Sequence, residues 1–334
     1  MIYVNEKDLA RLSIQKPVNL GTEEWIMIYQ EPKSGRGRSH YNEANNVYNS
    51  LSEASRELGI TVGEPYWIEL DNEGDMKQIE NELQHYINAQ SGMRFPKIIV
   101  MILGQEYLYK DLKQVFKVYQ TPSQVIRVFN AKKFNLSKAS NILKQINSKM
   151  GGDLFHMKFP EKMNSLRTML IGIDVCHSGG NSIVGFAAST NKEMSQYYSD
   201  FLVQKKGQEV VNSSMMDPLR KAIEVFAKNH KGNFPTDIII FRDGVSAAER
   251  TQVVNAEVTQ FQQCCNEMYN QAQTRPRITL VIVNKRIIQN FFVKDESNKL
   301  QNAPSGAIVD SELVEQAAGQ GGQFDFFLFP VRGT

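Results

Sequence analysis

Residues 169–190, MLIGIDVCHSGGNSIVGFAAST, place an apolar run, a glycine-rich break and a second apolar run in immediate succession. Met169–Val175 and Ser182–Thr190 have strand composition, and SGGN at 178–181 supplies turn residues between them. A third strand is expected at Gln196–Gln204 (QYYSDFLVQ). Asp217 and Pro218 then read as N-cap and first residue of a helix whose Leu219, Ala222, Ile223 and Phe226 fall on one face. Asp237–Arg242 (DIIIFR) is a buried strand closed by Asp243. A long helix around Glu249–Tyr269 and a strand at Ile278–Val283 follow.

Upstream, strand and helix patterns alternate. Strands are expected at Trp25–Tyr29, Tyr66–Leu70, Ile98–Leu103 and Val125–Phe129. Helices are expected at His40–Leu58, Met76–Asn88, about Tyr107–Val118 and Ser137–Met150, the last capped by Ser137 and ended by Gly151–Gly152. Repeated strand–helix units predict an open, largely parallel sheet with helices on both faces. The pattern breaks at Gly151–Pro160, where a domain boundary is expected.

The 334 residues carry 41% apolar and 22% charged side chains, a folded composition with room for about two domains. The longest apolar runs fall far short of the ~18–20 residues that span a bilayer, and no secretory signal is visible at the N-terminus. Cys176, Cys264 and Cys265 lack zinc-site spacing and cannot form a disulfide framework. The net charge of +2 conceals an uneven distribution. Residues 1–106 hold 10 Lys/Arg against 16 Asp/Glu, and residues 107–149 hold 9 against 1. Such a basic block reads either as a solvated face or as a footprint for nucleic acid.

Three strands, a helix and a fourth strand, with Asp174 in the first and Asp243 closing the fourth, is the order of a ribonuclease-H-like nuclease. In that order the two strands are neighbours and their carboxylates meet. Hard oxygen ligands of this kind hold the Mg²⁺ pair that phosphodiester cleavage uses. Either aspartate alone would read as a turn former.

GIDVCH, QKKGQEVV, IIIFRDGVS and LVIVNKRIIQNFF, in that order, resemble the Piwi domain of the Argonaute family, specifically its Piwi clade. YKDLK, TPSQV and INSKMGG upstream resemble the Mid domain that precedes it. The resemblance implies an α/β chain: a linker over residues 1–20, a Rossmann-like Mid domain with a parallel sheet over 21–150, and an incomplete ribonuclease-H-like Piwi domain over 151–334. It implies that Tyr109 stacks on the first base of a guide RNA and that Lys113, Gln124 and Lys149 bind its 5′-phosphate; by position in the sequence, Lys117 (another turn along) and Lys144 are expected to assist. The first two stand four residues apart and share a helix face.

The same resemblance assigns Asp174 and Asp243 as metal-binding catalytic carboxylates and Glu209 as the glutamate that completes the site. Lys285 and Arg286 are expected on the nucleic-acid backbone, and His177 in a local hydrogen bond. Family members continue past the equivalent of FDFFLFPVRGT to a fourth catalytic residue, so the chain is expected to be a fragment that cuts poorly alone. The expected function is small-RNA-guided silencing with Mg²⁺ (or Mn²⁺ in its place) as cofactor. Its partners would be a guide small RNA (a piRNA in this clade), a complementary target RNA and silencing-complex proteins. No membrane is expected, and the site of action is cytoplasmic, nuclear or both. A guide carrier that does not cut, and an unrelated ribonuclease-H-like integrase or resolvase, are the alternatives.

Overall fold

The computed structural model describes residues 14–33, 37–90, 92, 94–156, 159, 167–211, 214–245, 249–269, 274–285, 289–304, 306–311, 314 and 325–329. In the first half, strands β1 (Ile26–Gln30), β2 (Tyr66–Leu70), β3 (Ile99–Leu103) and β4 (Ser123–Arg127) form an all-parallel sheet in the order β2-β1-β3-β4. Helices α1 (Tyr41–Leu58), α2 (Met76–Ala89), α3 (Tyr109–Val118) and α4 (Leu136–Lys149) cover it. One face packs Met27, Val100 and Ile102 on Val47 and Leu51 of α1 and Leu143 of α4. The other packs Ile28 and Met101 on Leu83 of α2 and Leu112 and Phe116 of α3. Burial on both faces is why β1 and β3 read as unbroken apolar runs.

The second sheet has the order β7-β6-β5-β8-β9: β5 (Thr168–Ser178), β6 (Asn181–Ser189) and β7 (Tyr197–Lys205) are antiparallel, and β8 (Asp237–Asp243) and β9 (Arg277–Val283) run parallel to β5. Helix α5 (Met216–Asn229) and the segments α6 (Arg250–Val253) and α7 (Thr259–Met268) lie in the same region, with a π turn at Val254–Val258 joining the last two. Ile171, Ile173 and Ile240 share one core with Leu219, Phe226 and Phe261. Two short antiparallel pairs follow, Phe292–Lys294 with Leu300–Asn302 and Ile308–Val309 with Phe327–Leu328. No helix among the described residues is long and apolar enough to cross a membrane.

Several local expectations shift. Strand β4 lies two residues earlier than the apolar run VIRVF suggests, because Ile99 N–H donates to Pro122 O and sets Ser123 opposite Ile99. Val128–Ala131 is then a helical turn, which takes Phe129 out of the sheet. The cap of α4 is Asn135, whose Oδ1 accepts the Lys138 N–H, so Ser137 falls inside the first turn. Helix α5 starts at Met216, and Asp217 pairs with Arg220 instead of capping. The long helix over 249–269 is interrupted by the π turn.

Residues 14–20, within the stretch assigned to a linker, pack on the first sheet's region: Leu20 is fully buried and its N–H donates to Thr61 O. Asn147, fully buried on α4, holds this segment. Its Oδ1 accepts the Val18 N–H at 2.8 Å, its Nδ2 donates to Lys16 O at 3.2 Å, and its carbonyl accepts the Gly152 N–H. Gly152 leaves room for that amide, since a Cβ there would lie 2.4 Å from Asn147 Nδ2. Asn147→Ala leaves a part-buried donor and acceptor without their partner, and a loss of roughly 1–3 kcal/mol is expected from urea denaturation. An unchanged midpoint would contradict the assignment.

Candidate functional site

A cationic cluster forms where α3, β4 and α4 meet. Lys149, the last residue of α4, donates from Nζ to Ser123 O at 2.8 Å and to Gln124 Oε1 at 2.7 Å. Lys113, one turn into α3, donates to Ser123 Oγ at 2.6 Å and to the same Ser123 carbonyl at 3.3 Å. Two ammonium groups therefore share one carbonyl oxygen. Tyr109 opens α3 half-exposed, with Lys113 Nζ 6.0 Å from its ring centroid. Three of the four residues expected at an RNA 5′ end converge, and the fourth stands one turn away. Ser123, the residue they converge on, carries no signal of its own in the sequence.

Neither ammonium bonds a carboxylate among the described residues. Withdrawal from water pulls both lysines below the usual 10.5, and for Lys149 the charge of Lys113 adds to the effect. The cluster is thus a concentration of positive charge with no counter-charge bonded to it among the described residues. Beside it lies an open hollow of about 370 Å³ lined by Val18, Lys97, Pro122, Lys149 and Met150. Lys117 is exposed one turn further along α3, and Lys144 lies on α4.

The carboxylates gather at the second sheet. Register pairs Ile173 with Arg242, so Asp174 and Asp243 are the next residues on adjacent parallel strands. Lys285 Nζ bonds Asp243 Oδ2, and its pKa is raised by that bond and by the charges of Asp243 and Asp174. This lysine, expected on a nucleic-acid backbone, faces the acidic pair in the structure. Arg286 lies outside the described residues.

Glu209, on the loop after β7, reaches the same edge. Its Oε2 is 3.3 Å from His177 Nε2 and its Oε1 3.4 Å from Arg242 Nη1. It also abuts Gly244, where φ is +81° and a Cβ would come within 2.8 Å of Oε1. His177 makes the expected local bond, Nδ1 to Ser182 Oγ at 2.8 Å, and in addition meets Glu209. Sequence reasoning missed Arg242. It is fully buried, donates to Glu209 O at 2.5 Å, and pairs through Nε with Glu257 Oε2 at 3.0 Å. Glu257 lies in the π turn and also accepts the Val211 N–H at 2.9 Å. Asp174 and Asp243 offer oxygen ligands of the type a divalent cation takes, while Lys285 holds Asp243 and His177 and Arg242 hold Glu209. No three metal-ligating groups converge among the described residues.

A family model for the Piwi domain matches residues 98–330, from β3 through the second sheet. Piwi-like protein 1 of Gallus gallus is 31% identical over 339 residues, covering 98% of this chain and 35% of its own length. Protein argonaute-3 of Drosophila melanogaster is 29% identical over 313 residues, covering 91% of this chain and 32% of its own. The chain spans about a third of the length of the curated relatives it matches. The crystal structure of Drosophila Piwi superposes with a TM-score of 0.72 at 18% identity, covering 98% of this chain and 42% of that one. Kluyveromyces polysporus Argonaute with a guide RNA gives 0.68 at 21% identity, covering 90% and 39%.

Two measurements check the electrostatics. Arg242→Met leaves Glu257 buried and unpaired, and should cost ~3–5 kcal/mol in urea denaturation, more than Arg242→Met combined with Glu257→Met. Equal costs would remove the buried pair from the account. Lys113 and Lys149 have folded pKa values below their unfolded ones, so the folded state sheds these protons first as pH rises. Their penalty is fully present at neutral pH and is relieved between the folded values and 10.5. The RNA-free protein should therefore gain stability over that alkaline window relative to Lys149→Met, and parallel pH profiles would refute it.

Proposed function

Because the chain belongs to the Piwi family, we propose that it anchors the 5′-phosphorylated end of a guide small RNA for silencing of a complementary RNA. The observation that carries this is the convergence of Lys113 and Lys149 on Ser123 with no carboxylate among the described residues to neutralise them. A phosphate supplies the absent charge and accepts charge-assisted hydrogen bonds from both ammonium groups. Gln124 orients Lys149, and the half-exposed Tyr109 offers a ring on which the first base stacks. The guide RNA in the Kluyveromyces polysporus Argonaute structure supports the class of ligand.

The acidic edge supports a cutting role for the same protein. Asp174 and Asp243 would hold Mg²⁺ or Mn²⁺, and the ion would supply a Lewis acid and an activated water at the target phosphate. Arg242 and His177 position Glu209 beside this pair, and Lys285 balances its charge. A second reading, a guide carrier that does not cut, draws on the engagement of Glu209 and Asp243 with these neighbours.

Affinity for 5′-phosphate against 5′-hydroxyl RNA tests the anchor. The phosphate form should bind more tightly, and Lys113→Ala or Lys149→Ala should each reduce that preference about tenfold, in line with a lost charge-assisted bond. Indifference of the unaltered protein to the phosphate would favour an integrase- or resolvase-like reading. For cutting, Asp243→Ala in the full-length protein is expected to abolish Mg²⁺-dependent cleavage of a paired target with guide affinity unchanged. A phosphate preference without any cleavage by the unaltered full-length protein would select the carrier.

A further inference from the structure

Strands β3 and β4 end together: Leu103 and Arg127 are the last register pair, and both chains leave the sheet at its carboxyl edge. From that edge the two following segments present bare aromatic rings. Tyr107 is 75% exposed and Phe129 70% exposed, and neither packs on another ring among the described residues. In the helical turn Val128–Ala131, Val128 and Ala131 are buried while Phe129 is left facing water. Between the two segments Arg127 pairs with Glu106, tying them together and cancelling the acid that would repel a phosphate. Lys133 Nζ stands 5.5 Å from the Phe129 centroid, and Lys132 beside it is exposed.

We propose that Tyr107 and Phe129 form a second base-stacking platform for single-stranded RNA, separate from the ring of Tyr109. The inference rests on the proposed RNA-binding reading and extends it to an unpaired nucleotide beyond the anchored end. The charge of the block selects the ligand. Residues 107–149 hold 9 Lys/Arg against 1 Asp/Glu, which suits a polyanion carrying flat apolar bases. Exposed rings interleaved with lysines are the arrangement that grips single strands with little sequence preference.

The test is fluorescence anisotropy with a labelled 5′-hydroxyl RNA of about ten nucleotides and an abasic strand of the same length. Tyr107→Ala with Phe129→Ala should weaken binding of the base-bearing RNA about tenfold and leave the abasic strand unaffected. Phe129→Leu, which keeps an apolar side chain without the ring, should show part of the same loss, and Phe129→Trp should restore tight binding. The preference for a 5′-phosphate should not change in these variants, as it depends on Lys113 and Lys149. If the unaltered protein ignores the phosphate while the ring variants still lose affinity, the anchor fails and the platform stands. Equal affinity of the double variant and the unaltered protein for base-bearing RNA overturns the platform, as does an equal loss on the abasic strand.

Discussion

Arg242 is a full positive charge sealed from water, and the acidic edge of the second sheet is organised by the groups that neutralise it. A guanidinium in such a place needs both charge and hydrogen-bond partners. Glu257 supplies charge from the π turn, the backbone and carboxylate of Glu209 add partners from the loop after β7, and the Asp243 carbonyl accepts from Nη1. One side chain thereby ties a strand, a loop and a helix together one residue before Asp243. The position of Glu209 is a consequence of satisfying a buried ion.

The first sheet solves the opposite problem. Lys113 and Lys149 are drawn toward one carbonyl without an acid among the described residues to answer them, so their mutual repulsion remains in the folded chain. The proposed anchoring role would draw on this cost, because an arrangement that is unfavourable alone becomes favourable around an anion. The two clusters differ in sign but share a location: Ser123 opens a parallel strand and Asp243 closes one, and backbone atoms or register, not loops alone, align the side chains.

Much of this was legible in the sequence. The order of strands and helices followed from the apolar runs and glycine breaks, and the paired aspartates followed from the strand order. Tyr109 and Lys113 share a helix face, which spacing alone reveals. The convergence of Gln124 and Lys149 was an implication of family likeness, since 25 residues separate them. What escaped was set by long-range packing. Asn135 and Ser137 are both plausible caps by composition, and the register of β4 depends on the carbonyl of Pro122. Arg242 sits in an apolar strand as though it were a surface charge, and its partner Glu257 points inward from a π turn that no periodicity announces.

The backbone at Gly244 has a consequence for tracing this lineage. Its left-handed conformation and its close approach to Glu209 leave no space for even one methyl group. A gene duplicate with alanine at that position would keep every acidic and basic side chain intact while displacing the glutamate from its neighbours. Comparing paralogues by their charged residues would score such a copy as competent, and only attention to an uncharged position would reveal the divergence.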